Sequence, residues 1–314
     1  MRGILHFFKL NLFAALAAVP VAIPVAIPLA IIMVVPLVFA EQAVFAEQGV
    51  FSEQIERSDQ KKTLIKEVLT ESGLMAIVET AAYIRDEEMS RLAATKGPIT
   101  ESELAAVRIR LMGSVREKYI LNQIRQHLDQ EFLALDLQKL LRKLRVPAIE
   151  KAKLIKGRIS EAHFAEEIRD YHLRLIEHPP RESRVQLMSE LAKVERINGL
   201  NTIVKVEVRK SLLTAITHVK DNVIPTEQEL DRQMTSFRKR VADKSNNQSV
   251  EHYLYLFRAV PSSELKNIIN DYKRSGLQRL VDSCEKRLKK EFSVGRQQFD
   301  QVNQIGGAAL AKRK

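Results

Sequence analysis

The residues of this chain best suited to chemistry are grouped in AHFAEEIRDYH, which holds His163, Glu166, Glu167, Asp170 and His172. On a helix, His163 and Glu167 are four apart and share a face, which is how two metal ligands begin a site. The next positions on that face hold Asp170 or Tyr171 rather than a second His, and no HExxH pattern occurs. The group therefore reads as a solvated helix face. His172 and His178 fall near a helix end, where a cation is favourable and needs no further role. Ser262 and Ser263 lead a helix and read as caps. No His/Asp arrangement marks a Ser or Cys nucleophile. Gly306-Gly307 lacks the Lys and the following helix of a phosphate loop. These patterns assign no catalytic residue, no metal ligand and no cofactor, and they name no reaction.

Two other groups suit binding. Tyr253, Tyr255 and Phe257 are the densest aromatic cluster. On a helix they spread over a wide arc, which would leave at least one exposed as a docking spot for a partner. Lys286, Arg287, Lys289 and Lys290 form a basic run, repeated in kind at Lys312-Arg313-Lys314, in a chain of formal net charge +11. Such runs suit an anionic partner, a membrane surface or lipopolysaccharide. Elsewhere Lys and Arg are mixed with Glu and Asp, as on a solvated basic surface. Neither run is interleaved with aromatics, so nucleic acid is not expected. Cys284 is the single cysteine, so no intramolecular disulfide can form. Its neighbours Lys286 and Arg287 would lower its pKa if it were exposed. Within VDSCEKRL, burial on a helix face is the expectation.

The elements that must carry these residues are helical. With 28% charged residues, 6% aromatics, no Trp and little Gly, the composition is that of an all-α protein rather than a sandwich or barrel. Leu64, Val68, Met75, Val78 and Ala82 recur at helical spacing, with one turn skipped after Val68. After a loop at Lys96-Gly97-Pro98, Thr100 with Glu103 forms a capping box, and the helix it opens carries Leu104, Val107, Leu111 and Val115. Ser160 caps a helix that His178-Pro179-Pro180 ends. An apolar stripe from Leu187 to Val219 then predicts one long helix, which runs through VKVEV and displaces a strand reading of that segment.

The pattern is written twice. LIKEV from Leu64 aligns with LMSEL from Leu187, ITESEL with PTEQEL, and DLQKLLRKLRVPAI from Asp136 with ELKNIINDYKRSGL from Glu264. The apolar positions of the last pair coincide, Leu137 with Leu265 and Leu140 with Ile268. Two related helical halves, 61–157 and 183–293, follow, joined by a connecting helix in 158–182 and packed as an antiparallel bundle or short helical array. Val146-Pro147 and Ser275-Gly276 mark the same helix end in each half. From Val294 the period fades, and 294–314 reads as a flexible basic tail.

YLYLFRAVPSSELKNIINDYKRSGLQRLVDS, from Tyr253, resembles secreted bacterial proteins grouped as domain of unknown function two thousand and fifty-nine. Tyr253, Phe257, Glu264, Leu265, Tyr272, Ser275 and Gly276 fill the places of that pattern. HPPRESRVQLMSEL, from His178, is similar to the segment opening the family's second half, whereas Pro147 departs from its small-residue break. The resemblance implies an exported all-helical protein and carries over no catalytic residue.

The N-terminal region points the same way. Arg2 and Lys9 precede 29 residues, Leu12 to Ala40, without a charged or polar side chain. Pro20, Pro24, Pro28 and Pro36 interrupt them, which disfavours a stable spanning helix. A positive start, an apolar middle and Val38-Phe39-Ala40 fit a secretory signal over 1–40. The hexapeptide repeat VFAEQA-VFAEQG-VFSEQI copies that site within a 41–60 linker, so Ala46 is a second cleavage position. An uncleaved inner-membrane anchor is the alternative. The expected protein is periplasmic or secreted and binds an envelope protein or peptide segment through a groove between the halves. The alternatives are binding of anionic lipid or lipopolysaccharide, and a hydrolase with an unrecognised site. Fractionation with N-terminal sequencing should recover a soluble chain beginning at Glu41 or Glu47; a full-length membrane-held chain would assign the block to anchoring.

Overall fold

The computed structural model describes residues 59–95 and 99–298. The signal segment, the hexapeptide repeat, the Lys96-Gly97-Pro98 loop and residues 299–314 lie outside the described residues. Among the described residues every regular element is helical, so the chain is all-α. In order these are α1 (59–71), α2 (Leu74–Ala94), α3 (Glu101–Ser114), α4 (Glu117–Glu131), α5 (Ala134–Leu144) and α6 (Pro147–Gly157). A 3-10 turn, Arg158–Ser160, leads to α7 (Phe164–Glu177). The series closes with α8 (Glu182–Glu195), α9 (Ile197–Asp221), α10 (Glu227–Leu256), α11 (Ser262–Ser275) and α12 (Leu277–Gln297).

The local rules repeat in both halves. Thr226 Oγ1 accepts from the Glu229 N–H at 3.3 Å, and the Glu229 carboxylate accepts from the Thr226 N–H at 2.8 Å. Thr100 and Glu103 make the same pair of bonds at 3.2 and 2.7 Å. Both boxes satisfy helix donors that would otherwise be orphaned. The breaks fall at Val146-Pro147, with Pro147 in the first turn of α6, and at Gly276, whose φ is +86°.

The stripe from Leu187 to Val219 is not one helix. It is cut at Arg196, which adopts a left-handed φ of +56° between α8 and α9. Gly73, with φ +75°, cuts α1 from α2. Gly73 and Arg196 are separated by the same 123 residues that align LIKEV with LMSEL. Glycine occupies this backbone region without a steric penalty; an Arg there costs roughly 1–2 kcal/mol. Arg196 offsets that cost by pairing with Asp282 and, at 3.7 Å, with Glu285 of α12.

Packing joins the halves into one core. The repeat-related helices α2 and α9 lie against each other, and α9 also touches α3, α10 and α12. Buried side chains of both halves, with Phe164 from α7, form a single apolar cluster. A cleft of about 620 Å³ does lie between the halves, lined by Glu71, Lys153 and Lys156 of the first and by Glu195, Asn201 and Tyr272 of the second, while the apolar core itself is tightly filled. The void between Leu69, Leu74, Ile124, Leu200 and Leu288 is about 10 Å³, which holds no more than about one water.

Two further expectations are corrected. The connecting helix begins at Phe164 rather than Ser160, whose hydroxyl donates to the Gly157 carbonyl at 2.8 Å. The chain after Val294 is not all tail, because α12 runs on to Gln297 with Gly295 and Arg296 buried. A Cβ on Gly295 would stand 2.6 Å from the Ser114 carbonyl oxygen, so α12 crosses the end of α3 backbone against side-chain-free backbone. Gly295→Ala must push these helices apart and is expected to destabilise the fold by about 1–3 kcal/mol. Gly199→Ala, in open space on α9, should be neutral or stabilising by about 0.5 kcal/mol. Urea unfolding of the two variants checks the contrast.

Candidate functional site

The sequence-selected aromatics are core. Tyr253, Tyr255 and Phe257 are 7%, 3% and 0% exposed. The arc they cover is wide, as a helix requires, but both sides of it are occupied. Tyr253 and Phe257 stack edge-on with centroids 5.7 Å apart. Tyr255 meets Phe164 and Tyr171 of α7 at 5.8 and 5.3 Å. The connecting helix covers what would have been the exposed side, so none of the three is exposed, although Tyr253 lines the cleft between the halves.

Tyr253 instead donates to Glu195, a carboxylate buried to 1% exposure that also accepts from Lys156 Nζ at 2.8 Å. Burial, and then the Glu195 charge, push the hydroxyls of Tyr253 and Tyr272 up from their ordinary values. Glu195 precedes the left-handed Arg196, so this tie fixes the break between α8 and α9 to α6 and α10. Glu167 is likewise structural, accepting from the Tyr255 hydroxyl with Arg158 Nη2 3.5 Å away. His163 is exposed at the start of α7, and His172 Nδ1 lies 3.6 Å from Glu251. The expected Ser caps are not caps: Pro261 holds the cap position of α11, and Ser262 accepts from Arg184 at 3.4 Å. Cys284 is buried as expected, and burial followed by the Glu131 charge pushes its thiol up to about 12, so it is not a thiolate at neutral pH.

The basic run divides by helix face. Arg287 turns to α4, donating to Gln123 and pairing with Glu291 through Nε at 2.8 Å. Lys286, Lys289 and Lys290 are exposed, and Lys289 and Lys290 edge a cleft of about 820 Å³ between α9, α10 and α12. That volume is within the range of small-ligand sites. Its floor is a charge network that the sequence reading missed. Lys210 and Glu207, each 3% exposed, sit one helical turn apart on α9. Lys210 Nζ lies 3.3 Å from Glu207, 3.3 Å from Glu227 and 2.9 Å from Asp231. Arg296, 1% exposed, donates to Glu227 Oε1 from Nε at 2.9 Å and from Nη2 at 2.7 Å. Its Nη1 is 2.9 Å from Glu207 Oε2 but off the line of a hydrogen bond, a coulombic contact only. The capping box at Thr226 is what puts Glu227 in the first turn of α10 and Asp231 one turn on.

Three charges of the floor, Glu227, Asp231 and Lys210, are held ionised. Burial raises the Glu227 carboxyl, but the Arg296 charge and hydrogen bonds, with Lys210, outweigh it and the net shift is downward. Burial likewise opposes Lys210 and Arg238 at Asp231, whose net shift is also downward. For Lys210, burial favours the neutral amine, yet Glu207, Asp231 and Glu227 together raise its pKa. A proton-transfer group should be poised near the working pH; these are driven away from it. The geometry fits ion pairing and recognition of charged groups rather than acid–base work. No family model, no curated protein and no solved structure matches the chain.

The shifts fix a pH window. Glu227 and Asp231, lowered by folding, contribute stability above the unfolded carboxyl range of about 4 and lose it as pH falls through their folded values. Lys210, raised by folding, contributes below about 10.4 and loses it as pH climbs through its folded value. Thermal melts should show a plateau around neutrality and a fall on both sides. Glu227→Gln should flatten the acid limb. At neutral pH it should cost about 1 kcal/mol, a figure discounted because that side chain is 38% exposed.

Proposed function

We propose that the protein is an exported, non-catalytic binding protein whose α9–α10–α12 cleft receives an acidic segment of an envelope protein. The observation that supports this most is the pairing of an open cleft of about 820 Å³ with exposed lysines at its edge and a floor already neutralised. Lys289 is shared with Glu285 at 2.7 Å, while Lys290 has no ion-pair partner among the described residues, and Lys286 lies one turn before it. A carboxylate-bearing segment laid along this edge gains new ion pairs without breaking the floor. The sequence features that support export are the apolar opening block, its cleavage-like sites and the resemblance of the second half to a secreted helical family.

A second reading keeps the same lysines and replaces the segment by anionic lipid or lipopolysaccharide. It is favoured by the exposure of Lys286, Lys289 and Lys290 on one helix. The test uses a synthetic Glu-rich peptide labelled for fluorescence anisotropy. Saturable binding should weaken steeply as salt rises and fall about tenfold in a Lys289→Gln/Lys290→Gln variant. Sedimentation with phosphatidylglycerol vesicles but no peptide binding would select the lipid reading. Loss of neither interaction in the variant would remove this cleft from consideration.

A further inference from the structure

A second, smaller cleft, of about 470 Å³, is formed by elements that the binding proposal does not use. It opens between α1 and α4, and its chemistry is set by Lys62, Lys66, Asn122, Arg125, Gln126 and Asp129. The arrangement follows from helical spacing. Lys62 and Lys66 are four apart on α1, and Asn122, Gln126 and Asp129 follow one another at helical turns along α4 with Arg125 beside them. The apolar sides of the same helices, Ile65 with Leu121 and Ile124, enter the core and hold the two polar faces in register.

Arg125 is the anomaly. Its Nε is buried and has no hydrogen-bond partner among the described residues. Its Nη2 reaches only the sulfur of Met75, at 3.8 Å. A thioether is a weak acceptor and cannot balance a guanidinium. An interior arginine ordinarily meets a carboxylate, and an uncompensated charge in a partly desolvated place is costly. The nearest acid on the cleft wall, Asp129, is already engaged by Lys61, which donates to its carbonyl and lies 3.3 Å from its carboxylate. Lys62 turns to Asp59 at the exposed edge, 2.9 Å away. Lys66 has no ion pair with a described residue, so Arg125 and Lys66 face one space with no counter-charge of their own.

We propose that the α1–α4 cleft is an anion site for a phosphate group, with Arg125 as its principal ligand. A tetrahedral dianion accepts several donors at once and suits the planar fork of a guanidinium. Lys66 and Lys62 supply charge from α1, and the Asn122 and Gln126 amides supply neutral donors from α4. A free phosphate monoester offers a dianion and a phospholipid headgroup a monoanionic phosphodiester, and both present anionic phosphoryl oxygens to these donors.

The experiment is calorimetric titration of the full chain with inorganic phosphate, in parallel with sedimentation against vesicles of phosphatidylglycerol and of phosphatidylcholine. Saturable phosphate binding, weakened at least about tenfold in Arg125→Gln, identifies a soluble phosphate. Sedimentation with phosphatidylglycerol vesicles alone, lost in the same variant and retained in Lys289→Gln/Lys290→Gln, identifies a headgroup. If Arg125→Gln fails to fold, Lys62→Gln/Lys66→Gln, both exposed, provides the comparison and should weaken binding severalfold. Absence of binding in both arms, or binding unchanged in these variants, overturns the proposal. Because the lysine pair of the α9–α10–α12 cleft is varied separately, failure of either site is read without reference to the other.

Discussion

A guanidinium with almost no access to water has to be neutralised where it lies, and Arg296 imposes that condition on three helices at once. It sits in the last turn of α12, and the carboxylates that meet it come from α9 and from the first turn of α10. Removing either acid leaves charge stranded in a low dielectric, a larger penalty than the pair gains by forming. The arrangement therefore works as a registry device more than as a source of stability. Lys210 extends it, since the same amine draws in Glu207, Glu227 and Asp231. The close backbone contact at Gly295, one residue earlier, is compatible only with this register. The large cleft is a by-product of the same condition, because three helices tied by charge remain open along their edges.

The core is continuous because helices from before and after α7 share it, as where α2 meets α9. The two segments differ after their capping boxes. In the first, the segment after the capping box is cut at Val115-Arg116 into α3 and α4; in the second, α10 runs unbroken for 30 residues. The unbroken helix spans from Glu227 and Asp231 at one end to Tyr253 and Phe257 at the other. It thus joins the charged floor to the Glu195 tie through a rigid rod. The cut between α3 and α4 frees α4 to pack on α12 and α2, which places Arg125 beside α1.

Much of this was readable in the sequence, and what was not has physical causes. The helical class, both capping boxes, the breaks at Pro147 and Gly276 and the burial of Cys284 are local consequences of residue type. The split at Arg196 was not readable, because an arginine in a left-handed conformation carries no local signature and depends on Asp282 and Glu285, which are 86 and 89 positions away. The aromatic trio misled for a similar reason: which side of α10 is covered depends on α7, an element outside the repeat. The floor of the cleft had a faint signal. Glu207 and Lys210 lie among Val204, Val206, Val208 and Leu212 and are buried with them, while Lys205 and Arg209 of the same segment are exposed. In a buried helix such residues need partners from elsewhere, but the sequence does not say that the partners are a first-turn Glu and an Arg in an apparent tail.

The polar centres of the molecule differ in spare capacity, and that difference separates structure from function more sharply than burial does. Glu195 is as buried as Arg296, and Tyr253 and Lys156 satisfy it where it lines the cleft between the halves, so it holds α6, α8 and α10 together. The charges in the floor of the large cleft are also paired with one another, but its edge adds Lys290 with no ion-pair partner among the described residues. Arg125 goes further, since a buried donor there lacks any partner among the described residues. Folding supplies apolar burial enough to carry one such uncompensated group, given the continuous core beneath it. Under the proposed anion site, that charge finds its counter-ion in a phosphate group from outside.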